Sequence, residues 1–224
     1  MKYRVHSHRN ALEILTHVKE YEGLLFEIQE SIGLLTDSRL KKDFEEKYIS
    51  KGKATKSLSK TINRLLKEEL TSRGWEAESY IFGESLYGDH TWRLDFAKSV
   101  TLEDKDIVGD EPSKSGISIE VAFNHGGSIA WNLLKPVIAS EINHVEKRIQ
   151  TGVGVVICAT KKLKEAGGFD SAIGTYEEFI SNLLPLMNIL TVPVLIIGLE
   201  EPETFRIGVE KRGNQSFGQI IDLR

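Results

Sequence analysis

Ile117-Ser118-Ile119-Glu120-Val121-Ala122-Phe123 alternates large apolar residues with small or polar ones, which is the period of a β-strand. Ile117, Ile119, Val121 and Phe123 share one face; Ser118, Glu120 and Ala122 share the other. Downstream, Val153 to Ala159 and Val192 to Ile197 are continuous apolar runs, the pattern of strands covered on both faces. Helical spacing over 128–150 and 176–190 separates these three segments. Strand, helix, strand, helix, strand implies right-handed crossovers and neighbouring parallel strands. Upstream, Trp75 to Phe82 and Thr91 to Ala97 alternate as a hairpin does, with Leu94 and Phe96 on one side and Asp95 on the other. The expected fold is therefore α/β, a mixed central β-sheet flanked by helices. Pro136 is expected to kink the first crossover helix or to mark its effective start.

Before the hairpin, residues 11–35 carry Leu12, Leu15, Val18, Leu24, Leu25, Ile28 and Ile32 at helical spacing, with Gly23 as the expected break between two helices. Between Leu40 and Ser57 the chain is polar and lysine-rich and reads as a solvated connection. An amphipathic helix is expected from Ser57 to Ser72, with Leu58, Ile62, Leu65, Leu66 and Leu70 on one face and Gly74 as its stop. Between Lys98 and Gly116 lies an acidic, turn-rich insertion with Glu103, Asp104, Asp106, Asp110 and Glu111, expected to form a long loop between strands.

The chain has 224 residues, 40% hydrophobic and 28% charged, enough for one good core and hence a single domain over 1–224. Its one cysteine, Cys158, sits in an apolar run and excludes an internal disulfide, which fits a reducing compartment and a cytoplasmic location. No apolar stretch approaches the roughly 20 residues of a membrane helix, and Met1-Lys2-Tyr3-Arg4 leads into polar residues, unlike a signal peptide. With a net charge of −4, any surface for a polyanion must be local. His17, His90 and His144 show no zinc-ligand spacing with a cysteine. Gly152-x-Gly154 lacks the rest of a nucleotide fingerprint.

Asp95 and Glu120 each interrupt an otherwise apolar strand, and an ionised carboxylate facing a sheet interior needs a cation or a hydrogen-bond partner. A divalent ion satisfies both. Mg²⁺ takes one or two carboxylates together with waters and phosphate oxygens, and the backbone carbonyl of Ala122 is placed to add a third protein oxygen. Such an ion polarises a phosphate and lowers the pKa of an attacking water. Spacing alone equally fits two carboxylates at a solvated sheet edge.

The segments Asp95-Phe96-Ala97-Lys98 and Ile119-Glu120-Val121-Ala122-Phe123 resemble the type II restriction endonucleases of the BglII, BstYI and BamHI group, within the PD-(D/E)XK nuclease superfamily. The helix Ile62-Asn63-Arg64-Leu65-Leu66-Lys67-Glu68-Glu69-Leu70 ending at Trp75 is similar too. So are His6 to Glu13 and Val192 to Leu199. The resemblance spans most of the chain. It implies a restriction-endonuclease-like core, a Mg²⁺ cofactor held by Asp95 and Glu120, and cleavage of double-stranded DNA by a homodimer at a short palindrome, with a GATC-containing site suggested. It also matches Glu78, with Glu76 second, to a polar active-site residue shortly after the tryptophan.

One departure stands out. Many of these nucleases carry Lys two residues after the motif glutamate, and this branch often has Gln or Glu, but here the position is Ala122. A methyl group cannot orient or deprotonate water. Glu141, beside Ile138 and Val145 at helical spacing, is the first candidate for a migrated group, and Lys135 the second. A plain pairing of Glu141 with Arg148 or His144 fits the spacing equally. If no group replaces it, a non-catalytic DNA-binding protein with this fold, or a related repair nuclease, is the alternative.

For DNA contact, Lys53, Lys56, Lys60, Arg64 and Lys67 recur every three or four residues. Any helical portion presents them as a basic stripe able to meet phosphates, though such faces are often merely solvated. Asn124-His125-Gly126-Gly127-Ser128 leaves the catalytic strand as the next helix starts. Asn124 and His125 can meet base edges, and Ser128 with nearby amides can hold a phosphate. An incidental glycine turn fits the same residues.

Overall fold

The computed structural model describes residues 1–83, 92–101, 114–141 and 147–223. Among these, Tyr3–His8 (β1), Glu76–Tyr80 (β2), Arg93–Thr101 (β3), Lys114–Ala122 (β4), Val153–Ala159 (β5) and Val194–Leu199 (β6) form one sheet in the order β1-β6-β5-β4-β3-β2. The expected mixture is present. β4 pairs parallel with β5, and β5 with β6, while β2, β3 and β1 join antiparallel. Every residue of β5 and β6 is buried, because helices cover both faces.

The helices are Ala11–His17 (α1), Lys19–Gly33 (α2), Asp37–Phe44 (α3), Ser59–Ser72 (α4), Ile129–Glu141 (α5), Lys161–Ala166 (α6) and Tyr176–Leu186 (α7). Ile117, Ile119, Val155, Ile157, Leu195 and Ile197 pack toward α1, α2 and α4. Ala122, Val156, Cys158 and Ile196 pack on the other side with Leu133 of α5 and Phe179 of α7. The alternation that identifies the strands thus sorts their side chains into two cores. Pro136 lies inside α5, and a Cβ on Gly154 would come within 2.5 Å of its ring. Glycine there lets the crossover helix lie close on β5.

Several expectations change. The break between the first two helices falls at Val18, whose backbone is extended, and Gly23 continues inside α2. Burial of Tyr21, Leu24, Leu25 and Ile28 outweighs the roughly 0.5–1 kcal/mol that a mid-helix glycine costs. Residues 40–57 are not merely a solvated connection. They hold most of α3 and a π-helical turn at Glu45–Ile49, with Leu40 and Phe44 fully buried and the Tyr48 ring 5.6 Å from that of Phe44. Three anchors spaced i, i+4 and i+8 suffice for a short helix that Thr36 caps through Arg39 N–H at 3.3 Å.

Helix α4 is as expected, ending before Gly74 at φ +81°, a backbone conformation that glycine adopts readily. β3 and β4 run four and three residues into the segment expected as a loop. Its acidic residues, together with His90, His144 and Val145, lie outside the described residues. Lys147 to Gln150 are not helical, and α7 stops at Leu186, beside Pro185. β1 closes the sheet edge beside β6, and Phe205–Arg212 (β7) pairs with Gln215–Asp222 (β8) as a hairpin. The pattern set out above assigns neither. Phe205 and Ile207 anchor the hairpin in the larger core.

Candidate active site

The β3–β4 ladder runs in register from Thr101↔Lys114 to Phe96↔Ile119 and stops there. One step further, Asp95 would face Glu120. Instead the strands part, and Asp95 Oδ2 accepts the Val121 N–H at 2.7 Å. On the other flank β2 pairs through Ala77↔Phe96 and Ser79↔Leu94, leaving Glu78 opposite Asp95 with φ +55°. For a residue with a Cβ, that backbone costs about 1–2 kcal/mol, and such strain concentrates at functional sites. The irregularity also overturns the expected facing. Leu94 packs with Ile81, Ala97, Ala139 and Ile149, whereas Phe96 joins the opposite core.

Glu120 points toward α5. Its side chain is 3% exposed, and Lys135 Nζ donates to Oε2 at 2.6 Å. Oε1 has no hydrogen-bond partner among the described residues. Burial, and after it the charge of Asp95, push its carboxyl up to about 8 despite Lys135. Burial likewise raises Asp95, opposed by the Val121 amide and the Lys135 charge, with Glu78 adding to the rise. Two carboxylates are therefore close enough to perturb one another, and one ammonium on Glu120 is felt by both. A buried acceptor without a partner is costly. The pair offers hard oxygen donors suited to Mg²⁺, which needs few protein ligands when phosphate supplies others.

Toward α4, a cavity of about 130 Å³ is lined by Asn63, Lys67, Glu78, Asp95, Phe96 and Val121. Asn63 and Lys67 are one turn apart on α4, so they share a face. Reading the helix as a stripe did not bring them to the carboxylates. The signal for them is an i, i+4 polar pair on the exposed face of the helix that immediately precedes the hairpin. Helix and strand are fastened together at the base. Lys98 Nζ donates to both Glu27 oxygens at 2.8 Å and to the Arg73 carbonyl at 2.6 Å, and the Trp75 indole N–H reaches Glu27 at 2.7 Å.

The remaining candidates divide. Glu78 is exposed beside Asp95, with Arg93 3.9 Å away, and lines the cavity. Glu76 instead pairs with Arg148 at 3.0 Å. Glu141 is exposed at the end of α5, about 9 Å along the axis from Lys135. It lacks the apolar setting expected of it, and Arg148 is taken by Glu76. Ala122, 1% exposed, packs in the α5-side core on the same strand face as Glu120.

The basic stripe breaks up. Lys53 and Lys56 precede α4, and Lys56 pairs with Asp170 at 2.7 Å. Arg64 turns to the buried Asp43 and to Glu68. Lys60 and Lys67 stay exposed, with no acidic partner among the described residues. Asn124 and His125 are exposed just past β4. Asn124 Oδ1 accepts from Asn132 at 3.0 Å, and His125 Nδ1 accepts the Gly127 N–H at 3.0 Å, fixing a 3-10 turn, Gly126–Ser128, before α5. The Ser128 N–H is used by the His125 carbonyl.

A family model for "Restriction endonuclease BglII/BglIII" matches residues 3–199. No curated protein sequence matches the chain. Among solved structures, a crystal structure of restriction endonuclease BglII complexed with a DNA 16-mer is similar over 100% of both chains, at 17% identity and a TM-score of 0.62. A crystal structure of free BglII covers both chains fully at 14% identity and a TM-score of 0.47. Because that family model spans residues 3–199, nearly the whole chain, the chain belongs to the BglII/BglIII restriction endonuclease family.

Proposed function

We propose that this site-specific deoxyribonuclease works as a Mg²⁺-dependent homodimer, each subunit a single domain over 1–224 cutting one strand of a short DNA palindrome. The observation that carries the metal assignment is the buried Glu120 Oε1 left without a partner where Asp95 parts the strands. Asp95 and Glu120 would hold Mg²⁺, with the Ala122 carbonyl as a further oxygen. The ion, when bound, supplies positive charge to the scissile phosphate and acidifies water. In the net reaction the oxygen of one water forms a bond to phosphorus and one ester P–O bond breaks. The departing sugar oxygen takes up one of the two water protons, and the other is released from the new phosphate monoester.

Around that centre, Lys67 and Asn63 face the cavity from α4 and are suited to phosphate oxygens, with Lys60 one turn further out. Glu78 contributes a carboxylate at the cavity rim. Asn124 and His125 are suited to base edges, and Ser128 to the backbone. Lys56 and Arg64 contribute only by leaving their present ion pairs. Trp131 of α5, Leu184 of α7 and Met187 just past it are exposed, apolar surface suited to a second copy of the chain, and a two-fold protein matches a two-fold site. Among the described residues no helix is long and apolar enough to cross a membrane. A cytoplasmic location with a reduced Cys158 is the reading we favour.

The test is incubation of purified protein and Mg²⁺ with unmethylated phage DNA, followed by sequencing of the ends. Discrete fragments sharing one palindromic sequence are expected, a GATC-containing one being the first to look for, and Asp95→Ala and Glu120→Ala should abolish them. Intact DNA, or variants that cut as well as the native protein, would overturn the reading. Tight Mg²⁺-independent binding without cleavage would favour a non-catalytic DNA-binding protein, and ends without fixed sequence a repair nuclease. Light scattering checks the dimer.

A further inference from the structure

We propose that Lys135 is the positioning cation of the cleavage reaction, reaching from helix α5 into the space that a lysine at position 122 would fill. The proposal rests on the nuclease reading above and adds to it the group that the strand itself lacks.

Three observations carry it. Lys135 Nζ sits 2.6 Å from Glu120 Oε2, with the lysine side chain 14% exposed and the glutamate 3%. An ammonium has three donors, and the bond to Glu120 is the one formed among the described residues, so two N–H groups remain beside the carboxylates. Ala122 packs with Ile129 and Leu133 of the same helix, on the same strand face as Glu120. A side chain from 122 and one from 135 therefore approach the carboxylate from two sides of one interface. A structural role is a weak explanation for the pair, because a buried ion pair contributes little net stability against its desolvation cost.

In this arrangement Lys135 does no bond-making of its own. One N–H steers Glu120. The others donate to a non-bridging phosphate oxygen or to the attacking water as negative charge builds on the phosphoryl oxygens, the kind of preorganised donor that acts most in the transition state.

The test is a swap. The wild type first maps a site on unmethylated phage DNA, and a duplex containing it is then the probe. Lys135→Met should slow single-turnover cleavage roughly 10²- to 10⁴-fold. Its binding to the duplex without divalent ion, read by fluorescence anisotropy, should change less than about fivefold. The double variant Ala122→Lys/Lys135→Met should regain at least tenfold of the lost rate, and Lys135→Arg should fall between. Circular dichroism melts accompany each variant.

Cleavage by Lys135→Met within threefold of wild type would overturn the proposal, as would a loss fully matched by weaker DNA binding. A folded, DNA-binding double variant no faster than Lys135→Met would also overturn it. Should Lys135→Met fail to fold, Lys135→Arg and the double variant carry the test. Wild-type protein that leaves DNA intact would instead refute the nuclease reading and this inference with it. Active wild type with an indifferent Lys135→Met refutes this inference alone.

Discussion

Replacing Glu120 with Gln should make the metal-free protein more stable, and by an amount that grows with pH. Glu120 has its carboxyl pushed from the ordinary 4.5 up to about 8, burial first and the charge of Asp95 second. Between these values the unfolded chain has released the proton and the folded chain still holds it. Folding then takes up a proton, and stability falls as pH rises through the interval by about 1.4 kcal/mol per pH unit. The interval is about 3.5 pH units, giving a ceiling of about 5 kcal/mol, reached above pH 8 and absent below pH 4.5. With its side chain 3% exposed, the group needs little reduction for solvent screening. The amide introduced by Glu120→Gln keeps an acceptor for Lys135 but has no titrating proton to lose. Urea denaturation with EDTA at unit steps from pH 5 to 9 should show Glu120→Gln near wild type at pH 5 and about 3–5 kcal/mol more stable at pH 9. In the wild type Mg²⁺ should reverse the trend, since it binds the ionised form and releases the proton. Its stabilisation should therefore increase with pH. A difference between the two proteins that is flat across pH 5–9 would refute the reasoning.

Four further outcomes follow from the geometry. Glu78→Asn suits φ +55° better than Glu does, so it should hold or raise stability by up to about 1 kcal/mol while slowing cleavage; urea melts and single-turnover rates on one preparation check both. Gly154→Ala drives a methyl into Pro136 and should cost about 1–3 kcal/mol, read by thermal denaturation, with DNA affinity unchanged in the fraction that folds. Arg64→Ala leaves the buried Asp43 without its cation and should cost roughly 1–3 kcal/mol of stability with little effect on DNA binding. Lys67→Ala should do the opposite, weakening DNA binding and lowering the salt dependence by about one ion.

The parallel half of the sheet was legible because it rests on local periodicity, and the two carboxylates stood out as interruptions of apolar strands, although the facing of Leu94 and Phe96 around Asp95 did not follow from that period. Ile117 to Phe123 alternates, and Val153 to Ala159 is apolar throughout, so their faces and burial follow from the chain alone. The C-terminal hairpin went unassigned, although Phe205, Ile207 and Val209 alternate ahead of Gly213-Asn214, a turn signal that stands apart from the crossover pattern. β1 was not legible. Its exposed Arg4 and Val5 show that it lies at a sheet edge, and its pairing with β6 joins residues almost 200 positions apart. The partners of the site depend on tertiary geometry in the same way. Lys135 meets Glu120 only once the crossover lays α5 over β4, and Arg64 leaves the basic stripe only because Asp43 is buried beneath it. Glu141 failed in its expected setting because helical spacing fixes which residues share a face, but not how far along the axis the site lies.

The fastening at Lys98 has a mechanical consequence. Lys98 is three residues from Asp95 on the same strand, and its ammonium joins α2 through Glu27 to the backbone just past α4 through Arg73. The helix that carries Asn63 and Lys67 cannot slide over β3 without breaking that knot. Under the proposed reading, a duplex held by α4 would pull on the strand bearing Asp95 as well, and the two would move as one rigid clamp rather than as parts that adjust separately.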